Sequence, residues 1–108
     1  MTVNELAGVQ GFRAVTLPDG DRQINGVYIG DLLSWVMGRA KADDAWITIM
    51  SNINIAAVAA LADVACVILA EGVELDAAVR DTANAKGINI LSADMPAYET
   101  AMALGSRL

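Results

Sequence analysis

Three short apolar runs limit this chain most: "AWITIM" from Ala45, "VACVILA" from Val64 and "INIL" from Ile88, each followed by a stretch with helical spacing. A run of four to seven apolar residues is too short for a buried helix and suits a strand covered on both faces. The stretches between have room for one helix each, an alanine-rich one over about Ile53 to Ala62 and another within "ELDAAVRDTANAKG". Strands that alternate with single helices define βα units, which need a parallel sheet with right-handed crossovers.

The flanking segments extend the pattern. Thr2 and Glu5 form a capping box for a short first helix, "FRAV" reads as a strand, and "LPDGD" is a turn. After "INGVYIG" the spacing predicts a helix from about Asp31 to Lys41, with Leu32, Leu33, Val36, Met37 and Ala40 on one face. In the second half, Leu75, Ala78, Val79 and Ala83 share an inward face, Asp76 pairs with Arg80, and Gly87 is the C-cap. "SADMPAYETAMAL" opens a last helix with Asp94 as N-cap and Pro96 in the first turn. The expected architecture is α/β: one domain over residues 1–108, a small three-layer sandwich with a mostly parallel sheet of about four to five strands.

Composition narrows the partners. Seven basic and thirteen acidic residues give a net charge of −6, and the basic residues are scattered. Without a basic stripe such a chain repels a phosphate backbone, so no nucleic acid partner is expected. Hydrophobic residues make up 56% of the chain, which is high for a small monomer and predicts apolar surface covered by another subunit. No run is long enough to span a membrane, the start "MTVNELAG" has neither the basic start nor the long apolar run expected of a signal peptide, and the single Cys66 fits a reducing cytoplasm, so a cytoplasmic protein is expected.

Ligands of open parallel sheets bind at the carboxyl ends of the strands, near a reversal of strand order. Three segments supply such ends: Ser51, Asn52 and Asn54; Glu71 and Gly72; and Ser92 to Asp94. Ser51, Asn52 and Asn54 stand at a helix N-terminus that favours an anion, although capping that helix is the simpler task. With no histidine in the chain, no conventional base is at hand to activate Ser92 as a nucleophile. Asp43 and Asp44 read as a solvated turn, and Cys66 as an inert core thiol. Trp35, Trp46 and Tyr28 read as packing residues, with Trp35 and Met37 able to extend an apolar face to a dimer. Neither G-x-x-x-x-G-K-[ST] nor G-x-G-x-x-G occurs, no metal set is present, and no cofactor is expected.

The run "DRQINGVYIGDLLSWVM", Asp21 to Met37, resembles the signature of the DRTGG domain, and the residues that carry the likeness are Asp21, Arg22, Gly26, Gly30, Asp31, Leu32, Leu33 and Ser34. "WITIMSNINIAAVAALADVACVILAEG" and "AKGINILSADMPAYETAMAL" are similar to the family's central and closing segments. Asn25-Gly26 replaces a common Gly-Gly pair, and Ala93-Asp94 a frequent Thr-Pro pattern. The family is similar to the N-terminal domain of HPr kinase/phosphorylases and to inserts in phosphotransacetylases and CBS-domain pyrophosphatases. The resemblance implies a non-catalytic regulatory or scaffolding module that homodimerises, serves a regulated enzyme partner and brings no catalytic residues. A small-ligand sensor for a nucleotide or phospho-metabolite, bound at the strand ends, is the alternative. Within the opening stretch, Asp21 and Arg22 are expected to engage each other's surroundings across a solvated turn, with the two glycines bending the backbone.

Overall fold

The computed structural model describes residues 1–108 and contains five strands and five helices. Asp44–Thr48 (β3) and Cys66–Leu69 (β4) follow two of the apolar runs, whereas the third strand, Ile90–Ala93 (β5), begins two residues into "INIL" and takes in Ser92 and Ala93, which were expected beyond the strand end; every residue in the three strands is buried. They pair in parallel, β3 with β4 and β4 with β5. Side chains alternate across them: Ala45, Ile47, Cys66, Ile68 and Leu91 enter one apolar cluster, while Trp46, Val67, Leu69 and Ile90 enter the other. This period-two division is why the runs read as continuously apolar: both faces of the sheet are covered.

Two edge strands complete the order β1-β5-β4-β3-β2. β1 (Phe12–Thr16) is the expected "FRAV" strand, but it runs antiparallel to β5, with Phe12 opposite Ala93 and Arg13 opposite Ser92. A register shift between Ala14 and Thr16 is held by the Thr16 hydroxyl, which donates to the Ile88 carbonyl (2.7 Å) and accepts from the Ile90 amide (2.9 Å). β2 (Gly26–Ile29), parallel to β3, does not read as a strand in the sequence, because Gly26 at its start and Gly30 just after it read as bends. β2, β3, β4 and β5 step across the sheet in chain order, so the parallel strands contain no reversal of order.

Stepping in one direction with crossovers of one hand sends every intervening helix to the same face. Accordingly α2 (Leu33–Arg39), α3 (Ile55–Ala62) and α4 (Ala77–Ala85) share one core with Val36, Ile55, Ala59, Val79 and Ala83. On the opposite face α1 (Val3–Ala7) and α5 (Ala97–Gly105) contribute Val3, Leu6 and Leu104. The fold is therefore the expected three-layer α/β sandwich.

Local rules explain two helix ends. The α1 capping box is formed, with the Thr2 hydroxyl accepting from the Glu5 amide (3.1 Å) and the Glu5 carboxylate accepting from the Thr2 amide (2.9 Å). Those hydrogen bonds, the one from the Thr2 backbone first, hold the Glu5 pKa below its usual range. α4 ends with Gly87 at φ 76°, and the Ile88 amide donates to the Ala83 carbonyl (2.9 Å), a Schellman arrangement.

Several expectations are corrected. α2 is two turns rather than three, and only Val36 is fully buried, while Leu32, Trp35 and Met37 lie exposed. Ala78 faces solvent, and Arg80 lies 3.8 Å from Asp81 instead of pairing with Asp76. Pro96, not Asp94, is the N-cap of α5. Asp43 and Asp44 do not form a solvated turn: Asp44 is buried at the start of β3 and accepts from the Lys41 amide (2.8 Å), and Asp43 adopts φ 69°.

Candidate functional site

The family-marker residues build two joints, one at each end of the parallel strands. At the amino ends, Arg22 spans three connections. Its Nε and Nη2 donate to Asp43 Oδ1 (3.1 and 3.0 Å), and Nη2 donates to Asp63 Oδ1 (2.8 Å). Nη2 also donates to the Asp63 carbonyl. Asp43 precedes β3 and Asp63 ends α3, both in left-handed conformation (φ 69° and 57°), so Arg22 secures two backbones that L-residues seldom adopt. Burial lowers the Arg22 pKa, but hydrogen bonds to Asp63 and Asp43 outweigh it and leave the value raised. Asp21 turns elsewhere and accepts from the Asn4 side chain (3.1 Å).

Gly26 lies where a Cβ would be 2.6 Å from Asp44 Oδ1, so glycine lets β2 approach β3 at this carboxylate. At the carboxyl ends, Gly30 accepts from the Trp46 indole (2.8 Å), and Asp31 Oδ1 accepts from Thr48 Oγ1 (2.8 Å) and the Ile49 amide (3.0 Å). Asp31 thus ties the entry of α2 to the end of β3. Leu33 packs on the core, whereas Leu32 and Ser34 are exposed. Trp46 is buried and Tyr28 half-buried, as packing residues should be.

Two clefts open on the molecule. The first, about 280 Å³, lies between β1, β5 and the segment that enters α4. Val15, Val73 and Leu75 form apolar walls, and Arg13, Glu74, Arg80 and Ser92 bring polar groups. Ser92 is 1% exposed, and its hydroxyl has no hydrogen-bond partner in the protein. The second cleft, about 500 Å³, is apolar along one side and lies between edge strand β2 and α2, where Ile29, Leu32 and Trp35 meet Arg39. The Arg39 guanidinium stacks 3.6 Å above the Trp35 ring.

Of the strand-end residues named from sequence, Ser92 alone lines a cleft. Ser51, Asn52 and Asn54 are exposed before α3, where the Asn52 side chain accepts from the Asn54 amide (2.8 Å) and Asn54 makes no side-chain cap. Glu71 and Gly72, at φ 59° and 66°, donate backbone hydrogen bonds to the carbonyls of Met95 and Ala93 (2.8 and 2.9 Å). Asp94 is exposed and lies 3.3 Å from Arg13. Arg13 and Glu74 carry no site signal in the sequence and Arg80 reads there only as a helix partner of Asp76, because it is the antiparallel register of β1 that sets Arg13 opposite Ser92. Cys66 is fully buried, and desolvation, opposed weakly by Arg22, pushes its pKa from 9.0 up to about 12, as an inert core thiol requires. No cluster of His, Cys, Asp and Glu suited to a metal ion is present. No helix is long and apolar enough to cross a membrane.

These features define a small three-layer α/β domain whose loops are fastened by an arginine-carboxylate network at one end and by Asp31 at the other. The chain belongs to the DRTGG domain family, whose model matches residues 15–106. Part of a solved structure, that of the CBS and DRTGG domains of the regulatory region of Clostridium perfringens pyrophosphatase complexed with the activator diadenosine tetraphosphate, is similar in fold. That structure matches with a TM-score of 0.66 at 12% identity over 84% of this chain. The chain spans 40% of the length of that solved chain. Among curated proteins, none matches it.

Proposed function

We propose that the chain is a non-catalytic regulatory or scaffolding module, cytoplasmic, which homodimerises and acts on an enzyme supplied by a partner. Membership of the DRTGG family carries this reading, together with the place of the similar domain in a regulatory region. The surface that supports this reading is the free edge of β2 with α2, where Ile29, Leu32 and Trp35 line one cleft and are each about half exposed. An apolar patch beside an unpaired strand edge favours a partner surface over water. Light scattering tests the reading: a dimer is expected at micromolar concentration, and Trp35→Lys should dissociate it while leaving the circular dichroism spectrum intact. A strict monomer in the unmodified protein overturns dimerisation.

A second reading, a sensor for a nucleotide or phospho-metabolite, is favoured by the activator bound to the regulatory region of the similar structure. Thermal-shift screening tests it, since a ligand at 100 times its dissociation constant adds about 2.7 kcal/mol to stability. Absence of any shift with nucleotides and phosphorylated metabolites overturns it.

A further inference from the structure

The cleft between β1, β5 and α4 contains a group that the fold itself does not satisfy. Ser92 Oγ is buried without a partner, and a hydroxyl left so carries a desolvation cost that natural structures seldom retain without a use. Two arginines line the same cleft. Arg13 stands opposite Ser92 on the antiparallel neighbour strand, and Arg80 reaches in from the first turns of α4. Each has only a loose, exposed carboxylate contact, Arg13 with Asp94 at 3.3 Å and Arg80 with Asp81 at 3.8 Å. Such pairs contribute little and give way to a better anion. An anion held between two arginines and a hydroxyl donor receives charge-assisted hydrogen bonds from three directions, the geometry that suits a tetrahedral phosphoryl group.

Glu74 also lines the cleft, as a carboxylate that accepts hydrogen bonds and repels an anion. The P–OH of inorganic phosphate sits on the same charged group that the arginines would hold, whereas an ester can present a hydroxyl on its alcohol portion to Glu74 while its charge stays with the arginines; the cleft thus favours a ligand with a hydroxyl donor set apart from its phosphoryl group. The volume of about 280 Å³ is near the lower end of small-ligand pockets, enough for a compact ester or the phosphate end of a larger one. We propose that Arg13, Arg80 and Ser92 bind the phosphoryl group of a hydroxyl-bearing phosphate monoester, with Glu74 accepting from its hydroxyl. The inference rests on the sensor reading and gives it a site distinct from the loop at Ser51 to Asn54.

The test is titration of the isotopically labelled protein with inorganic phosphate and with glycerol phosphate, followed by amide chemical shifts. Saturable shifts at Arg13, Glu74, Leu75 and Ser92 are expected, and Arg80→Gln and Ser92→Ala should each weaken glycerol phosphate binding about tenfold or more. Both substitutions are compatible with folding, since Arg80 is at the surface and Ser92→Ala removes an unsatisfied hydroxyl; unchanged spectra elsewhere verify it. Glycerol phosphate should bind more tightly than inorganic phosphate, and Glu74→Ala should abolish that preference. Binding that both folded variants leave unaltered overturns the site while the sensor reading stands. Equal affinity for the two probes overturns the assignment to an ester. No saturable shift with either probe, with a positive thermal shift for another metabolite, overturns the ligand class; with no thermal shift at all, the sensor reading falls too.

Discussion

Replacing Arg22 with alanine should destabilise the protein by about 2–3 kcal/mol, a size that follows from its partners. The Asp43 contact is the stronger one: two N–H groups converge on one carboxylate oxygen, and the Arg22 side chain is only 24% exposed. A charge-assisted contact of that kind is worth about 1.5–3 kcal/mol. Asp63 is 65% exposed, so screening limits its pair with Arg22 to about 1 kcal/mol at most. Alanine also leaves two left-handed aspartates without the group that holds them. For a domain of this length the loss should lower Tm by about 10 °C or more in calorimetry. Arg22→Lys should recover only part of it, because a point charge cannot place donors on both carboxylates. A double-mutant cycle with Asp43→Asn should return a coupling of about 1–2 kcal/mol. Loss below about 0.5 kcal/mol for Arg22→Ala, the range of ordinary surface substitutions, would refute the view of Arg22 as the fastening of the amino-terminal strand ends.

Other substitutions separate the remaining joints. Asn89 is buried and holds Ala65 and Asp19 through Nδ2 (3.0 and 2.8 Å) while accepting from the Asp19 amide (2.9 Å), so Asn89→Ala should cost about 3 kcal/mol in urea unfolding; under 1 kcal/mol contradicts this. Gly26→Ala places a methyl against a carboxylate pinned by the Lys41 amide and should cost about 1–3 kcal/mol; an unshifted denaturation midpoint argues against the close approach. The raised Cys66 pKa makes the thiol retain its proton in the folded state after the unfolded chain has lost it. Its contribution is therefore complete below pH 9 and falls by about 1.4 kcal/mol per pH unit as pH rises toward 12. Cys66→Ala should flatten the stability profile in that window, and identical slopes for the two proteins would contradict the assignment.

The interior strands and the family signature were legible because they depend on local chemistry. A run such as "CVIL" is apolar at every position only if both faces are covered, and the Thr2-Glu5 box and Gly87 need neighbours a few residues away. β2 was not legible, since "GVYI" is short, begins with one glycine, is followed by another and lies half exposed at an edge, and becomes a strand through its pairing with β3. The α2 face lies shallower than its spacing implies, because periodicity reports which side chains align on a helix and not how deeply that helix sits against its neighbours.

By itself, then, the sequence determined the alternation of buried strands and helices, the layered α/β architecture and membership in a family, all of which are written in patterns of adjacent residues. Tertiary structure decided what those patterns do together. It set Arg22 on Asp43 and Asp63 rather than beside Asp21, aligned Arg13 with Ser92, and left one apolar edge uncovered. Such juxtapositions depend on strand register and crossover direction, which bring distant residues together and leave no local trace in the chain.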